Sequence, residues 1–256
     1  LSSFFLANSL VLYYHEQEKQ IMSEQTNATK IVVAPNGPYL VYGTPPIVHK
    51  KQITSEHGEP MTWQTNQRIE TGNRPVVALC RCGGSANKPF CDGTHTTNGF
   101  DGSETAATNT FEERKIVHEG STGIVIKRDY SVCAESGFCG HRLANIQKLA
   151  QQTDDSIVRA QVMAMIERCP SGSYTYALDE HSADIEPDLP QQVAITTEMT
   201  AEGPIAGPLW VTGGIAVERS DGQATEVRNR VTLCRCGASK NKPFCDGTHR
   251  AIQAQA

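Results

Sequence analysis

Aromatic residues are scarce in this sequence. Seven Phe, seven Tyr and two Trp make up 6 % of its 256 residues, and apolar residues of all kinds reach only 38 %. Chains with so thin a supply of core-forming side chains often lean on metal centres for stability. Long runs of one charge sign are also missing, and the net charge is -5, which argues against nucleic acid as the main partner. No apolar run is long enough for a membrane-spanning helix; the richest, Phe4 to Tyr14, is too short. There is no Gly-rich phosphate loop, dinucleotide fingerprint or convincing nucleophile–base pair, so the expectation is a protein that is not an enzyme. Nine cysteines are an odd number, which excludes a fully paired disulfide framework. Thiols grouped in a reducing compartment usually bind metal, and a cytoplasmic location is expected.

No Lys or Arg precedes Phe4, so a signal peptide's charged start is missing. Met22 opens a polar stretch. The expectation is that translation begins at Met22 and that residues 1–29 are a disordered or mis-assigned extension. A peptide from residues 5–19 in the mass spectrum of the native protein refutes this.

The cysteines fall into three trios: Cys80, Cys82, Cys91; Cys133, Cys139, Cys169; and Cys234, Cys236, Cys245. The outer trios belong to an internal repeat. Residues 80–95 read CRCGGSANKPFCDGTH and residues 234–249 read CRCGASKNKPFCDGTH, differing only at Gly84/Ala238 and Ala86/Lys240. A weaker echo precedes each, GPYLVYG from Gly37 and GPLWVTG from Gly207. Each unit therefore reads as a short β segment, a return strand (Val76–Leu79 or Val231–Leu233) and a cysteine loop. The first unit is longer, and its surplus around His49 to Asn73 predicts an extended hairpin or loop.

The repeated pattern is C-x-C-x8-C-x3-H. Soft thiolate ligands suit iron–sulfur clusters. A 2Fe–2S cluster takes two ligands on each iron: Cys80 with Cys82 on one and Cys91 with His95 on the other, then Cys234 with Cys236 and Cys245 with His249. The glycines let the backbone approach closely. Phe90 and Phe244 are placed to exclude water, and Pro89 and Pro243 stiffen the loop. Asp92 and Asp246 are candidate caps for a short helix carrying the histidine. Arg81 and Arg235 either offset cluster charge or are solvated surface charges. Ser85 and Ser239 either bond a sulfur or cap the loop. Three Cys and a His also suit tetrahedral zinc, although zinc chelates usually separate paired cysteines by two to four residues.

This stretch resembles the CDGSH iron–sulfur domain of the NEET family, with Cys-Asp-Gly-Thr-His in both copies where the family has Ser for Thr. The resemblance implies a redox-active, acid-labile 2Fe–2S cluster on three Cys and one His, and a dimer or a single chain with two motifs under a β-cap. The expected fold is α+β: two small β-cap and cluster-loop units, residues 30–110 and 190–256, forming an intramolecular pseudo-dimer in a monomer. The middle, residues 111–182, resembles the divergent mono-cluster ferredoxin-like domains. Cys133 and Cys139 are spaced as the first and third cysteines of that pattern, Ser136 stands at the second position, and Cys169-Pro170 matches its close. Three thiolates fit a 3Fe–4S cluster; a 4Fe–4S cluster needs a further ligand such as Ser136, Glu135 or His141, and a degenerate domain without a cluster is the alternative. Here a strand is expected at Ile124–Ile126, a helix from Asp155 to Arg168 with Val158, Val162, Met165 and Ile166 on one face, and a strand at Tyr174–Leu178. Thr96 to Thr110 reads as a linker or irregular edge, Asp179 to Asp188 as a solvated linker, and Gln192 to Met199 as β structure. His15, His49, His57, His118 and His181 read as ordinary surface residues.

A histidine ligand makes a site less negative and raises its potential. Rieske centres, with two, reach roughly -150 to +300 mV against roughly -400 mV for plant-type ferredoxins. Protons compete with iron for the imidazole, so cluster loss should accelerate as the pH falls below about 6. Two functions follow: electron transfer with a redox partner, or cluster storage, sensing and donation to an apo-protein acceptor.

Overall fold

The computed structural model describes residues 28–118 and 122–253. The extension expected at residues 1–29, with His15 and the start at Met22, lies almost wholly outside them. The first unit supplies β1 (Lys30–Val33), β2 (Tyr39–Tyr42), β3 (Ile47–Thr54), β4 (Pro60–Arg68) and β5 (Val76–Leu79). The middle region supplies helix α1 (Phe111–Arg114), strands β6 (Ile116–Val117) and β7 (Val125–Arg128), helices α2 (Ile146–Leu149) and α3 (Ser156–Glu167), and β8 (Tyr174–Ala177). The second unit supplies β9 (Gln192–Thr200), β10 (Gly203–Thr212), β11 (Ala216–Glu218), β12 (Arg230–Leu233) and helix α4 (Thr248–Gln253).

The two repeat units do not form separate sheets. One sheet runs β11-β1-β2-β5 and the other β12-β10-β9-β3-β4. Each unit lends a strand to its counterpart: β11 lies parallel to β1 with Ile31 opposite Val217, and β3 lies parallel to β9 with Ile47 opposite Val193. The surplus of the first unit is thus a hairpin, as the sequence predicts, but it is built into the sheet of the second. Both sheets bury their alternating apolar faces in one core, with Ile31, Tyr39, Ile47, Leu79, Val193, Leu209, Val217 and Leu233 among its members. A fully buried side chain of this size contributes about 1.5–3 kcal/mol, and the exchange places residues of both halves in the same core.

The connecting segments hold this arrangement. Thr96 to Thr110 is irregular, as expected, yet it is a seam: the amides of Thr105 and Ala106 both donate to the Lys242 carbonyl, and Arg219 donates to the carbonyls of Ala106 and Glu104. Asp179 to Asp188 is a solvated linker only in part: Asp179, Glu180 and Asp188 are exposed, but its middle is tied down. Asp184 pairs with Lys127 and accepts from Thr175, Ile185 bridges to Tyr176, and Glu186 pairs with buried Arg230. The cations that hold Asp184 and Glu186 stand far away in the sequence, so composition alone did not reveal these pairings.

The middle region forms a third sheet, β6-β7-β8, with α2 and α3 packed on it around Ile126, Ile146, Val162, Ile166 and Tyr176. Asp155 caps α3, accepting from the Ile157 amide at 2.7 Å. His118 stacks on Tyr174 and His49 meets the Thr197 hydroxyl at 2.9 Å. Both are half-buried rather than ordinary surface residues.

Candidate metal centres

Each cluster loop hangs between a return strand and a histidine turn. β5 leads into Cys80 and β12 into Cys234; the loops close where Phe90 bridges back to Leu79 and Phe244 to Leu233. In the first, the Cys80 and Cys82 sulfurs stand 3.8 Å apart, and Cys91 Sγ lies 3.4 Å from His95 Nδ1. In the second, the Cys234 and Cys236 sulfurs are 3.8 Å apart, and Cys245 Sγ lies 3.4 Å from His249 Nδ1. Backbone amides reach some of the sulfurs: Gly84 N donates to Cys82 at 3.4 Å and Gly247 N to Cys245 at 3.5 Å. The nine cysteines are all free thiols.

The residues around the ligand candidates hold the loops. Ser85 donates to the Phe90 carbonyl and Ser239 to the Phe244 carbonyl, each at 2.7 Å, so both hydroxyls close the loop. Asp92 accepts from Thr94 N, Thr94 Oγ1 and Ala86 N, and Asp246 accepts from Thr248 N and Lys240 N. The Thr94 hydrogen bonds hold the Asp92 carboxyl at a pKa of about 2. Arg81 is buried, donates to the carbonyls of Ala34 and Gly102, and lies over the rings of Tyr39 and Phe100. Arg235 donates to the carbonyls of Gly207 and Thr196, and burial draws its pKa down to about 10. Neither arginine is a solvated surface charge.

The two loops touch. Cys82 and Cys236 form an antiparallel bridge. A Cβ on Gly83 would stand 2.5 Å from the Cys236 carbonyl oxygen, and one on Gly237 would stand 2.5 Å from that of Cys82. Tyr39, from the first unit, donates to the carbonyls of Cys234 and Pro243 at 2.9 Å each.

The middle trio also converges. Cys133, Cys139 and Cys169 line one small cavity of about 30 Å³ together with Arg128, Glu135, Phe138, Pro170 and Tyr174. Glu135 (φ 57°) and Gly137 (φ 83°) curl the loop around it. Arg128 reaches the Cys133 sulfur at 3.9 Å. The other donors weighed for this centre are engaged elsewhere. Ser136 donates to Glu198 at 2.9 Å, and His141 Nδ1 accepts from the amides of Leu143 and Ala144 while its Nε2 meets Gln161. Glu135 lines the cavity, but its side chain also lies against Gly247.

Burial pushes the thiols of Cys80, Cys139 and Cys245 up from their ordinary value, and the neighbouring Cys169 and Cys133 add to this at Cys139. A coordinated cation reverses that preference, since a metal deprotonates a bound thiol outright. These free thiols, paired in the repeats and gathered around one cavity in the middle region, therefore suit a thiolate-ligated metal. Among the described residues no group of three or more His, Cys, Asp or Glu is gathered about a single metal position; in the repeats the donors stand as two pairs.

One residue at the second site had no motif to announce it. Glu198, on β9 and fully buried, accepts from His249 Nε2 at 3.0 Å, from Ser136 Oγ at 2.9 Å and from Arg250. Burial opposes its ionisation, but the His249 and Ser136 hydrogen bonds and the Arg250 charge outweigh that and hold its pKa below the ordinary value. The only sequence signal was a lone acid in the strand QVAITTEMT.

Comparison with known families matches residues 36–96 and 206–250 to the iron-binding zinc finger of CDGSH type, and residues 120–179 to the divergent 4Fe-4S mono-cluster family. No curated protein and no solved structure matches the chain. Among the described residues no helix is long and apolar enough to cross a membrane.

Proposed function

Since this chain is an iron–sulfur protein in which two CDGSH segments flank a divergent mono-cluster region, we propose that it is a multi-centre electron carrier. In this reading Cys80, Cys82, Cys91 and His95 hold one 2Fe–2S cluster, and Cys234, Cys236, Cys245 and His249 hold another. Cys133, Cys139 and Cys169 hold a third, 3Fe–4S with these thiols alone or 4Fe–4S with one outside ligand. When bound, such clusters supply one-electron redox chemistry. The chain's own part is to fix the ligands, shield them with Phe90 and Phe244, and set their charge through Arg81, Arg128 and Arg235. It has no catalytic role of its own in this reading.

The observation that carries the reading is the packing of three thiol sets into one body. The two repeat loops touch at Cys82 and Cys236, and the 133–139 loop is tied to the second repeat through Ser136 and Glu198. Carriers that relay electrons need centres held at fixed, short separations. Iron and sulfide analysis with electron paramagnetic resonance tests it: signals of two reduced 2Fe–2S clusters and of a third centre, seen in the oxidised protein for 3Fe–4S or in the reduced protein for 4Fe–4S, should survive repeated reduction and reoxidation. A colourless protein carrying only zinc after anaerobic preparation with ample iron overturns it. The alternative, cluster donation, draws support from the first site, whose Cys82, Cys91 and His95 are all only half-buried. Incubation with an apo-ferredoxin separates the two, because donation empties the protein whereas electron transfer leaves it loaded.

A further inference from the structure

The two cluster loops differ at only two of sixteen positions, yet the structure gives them different surroundings. His249 is 2 % exposed and sits on α4, a helix clamped to β10 by paired hydrogen bonds between Gln253 and Ala206, 2.9 Å each. His95 is half-buried, on a three-residue 3-10 turn, Thr94–Thr96. Cys245 is buried where Cys91 is half-buried. His249 Nε2 is held by Glu198, whereas among the described residues no hydrogen bond or ion pair to His95 Nε2 is found.

The cause is strand length. β1 and β2 have four residues each and turn tightly through Ala34–Pro38, whereas β9 and β10 run to nine and ten. In register, Val193 of β9 answers Ile31 of β1, because they face Val211 and Val41 of the matching partner strands. Glu198 lies five residues further along β9, in the extension the first unit lacks. The middle domain completes the contact. Ser136 donates to Glu198, Gln52 Nε2 holds the Ser136 carbonyl at 2.8 Å, and Glu135 lies so close to the second loop that a Cβ on Gly247 would stand 2.7 Å from its Cγ.

We infer that the two repeated sites are inequivalent: Glu198, oriented by Ser136, is a positioning residue that makes the second site the retained, lower-potential centre and leaves the first as the exchangeable one. This rests on the reading of the repeats as cluster sites. With Nδ1 facing the sulfur donors, Nε2 carries the proton and donates to Glu198. A carboxylate behind a metal-binding histidine fixes its tautomer and orientation and raises its basicity. A more basic ligand favours the oxidised, more positive iron. The burial of His249 and Cys245 also keeps water and competing ligands out. Ser136, at the position where ferredoxins carry a cysteine, here serves the neighbouring site instead.

The test uses the full-length protein, reconstituted anaerobically and challenged with excess EDTA at constant pH above neutrality. Visible absorbance of the repeat clusters is expected to decay in two phases. Cys91→Ala should abolish the fast phase and Cys245→Ala the slow one. Glu198→Gln keeps the shape and removes the charge. It should speed the slow phase by about tenfold and raise the potential of the second cluster alone, leaving the first-site phase unmoved as an internal control on folding. Ser136→Ala should move the same phase in the same direction by less. Wild-type clusters lost at one common rate overturn the inference, as does Glu198→Gln with an unchanged slow phase and potential. Should the variant fail to fold, the wild-type phases with the two cysteine variants still decide it. Absence of iron and sulfide from both repeats defeats the functional reading as well, whereas loaded clusters that decay together defeat only this inference.

Discussion

At the scale of single residues, the cluster loops are shaped by close approach. Gly83 (φ 76°) and Gly237 (φ 83°) each lie where a Cβ would meet the other loop's carbonyl oxygen. A left-handed backbone alone costs a non-glycine residue roughly 1–2 kcal/mol, and the collision with rigid backbone adds to it. Gly83→Ala is therefore expected to lower the thermal midpoint and to loosen both repeat sites at once, read as reduced iron content at each. The histidines should diverge on substitution. His95→Cys should retain a cluster that is harder to reduce and more resistant to acid, because thiolate is the more negative ligand. His249→Cys should lose its cluster readily, since a new thiolate would stand near the buried Glu198 carboxylate with no proton to share. Voltammetry and iron analysis of the two variants check this, and equal behaviour contradicts it. The spacing of the cysteines and histidines was legible in the sequence because ligand chemistry demands it locally. The fates of Arg81, Arg235, Ser85 and Ser239 were not, since each depended on which backbone carbonyl folded within reach.

At the scale of elements, the β3–β4 hairpin belongs to the first unit by sequence and to the second by hydrogen bonding. The surplus length of the first unit pointed to a hairpin or loop here, and the capping aspartate and apolar face located α3. Neither could say which sheet a strand would join, because an alternating strand presents the same apolar face to any edge of the right register. Ile47→Ala makes the consequence measurable. It should cost about 2–5 kcal/mol, and amide hydrogen exchange should quicken in β9, the strand that Ile47 flanks, more than in β1 and β2 of its own unit. The opposite ranking would contradict the exchange of strands.

At the scale of the whole molecule, neither half has a complete sheet. Without β3 and β4, β9 becomes a bare edge carrying Val193 and Ile195, and an unpaired apolar edge seeks another chain. Residues 190–253 expressed alone are expected to self-associate or stay unfolded, as size-exclusion chromatography and circular dichroism would report; a folded monomer contradicts the interlocked architecture. The sequence by itself supplied the candidate ligands, the repeat, the iron–sulfur family resemblance and the approximate strands, because these follow from residue type and spacing over short stretches. Tertiary structure alone decided that the halves exchange strands, that Asp184 and Glu186 of the acidic segment 179–188 are paired, and that two near-identical loops face different surroundings. Those outcomes depend on pairings such as Ile47 with Val193, Glu186 with Arg230, and Glu198 with Ser136 and His249, which only the folded chain brings into contact.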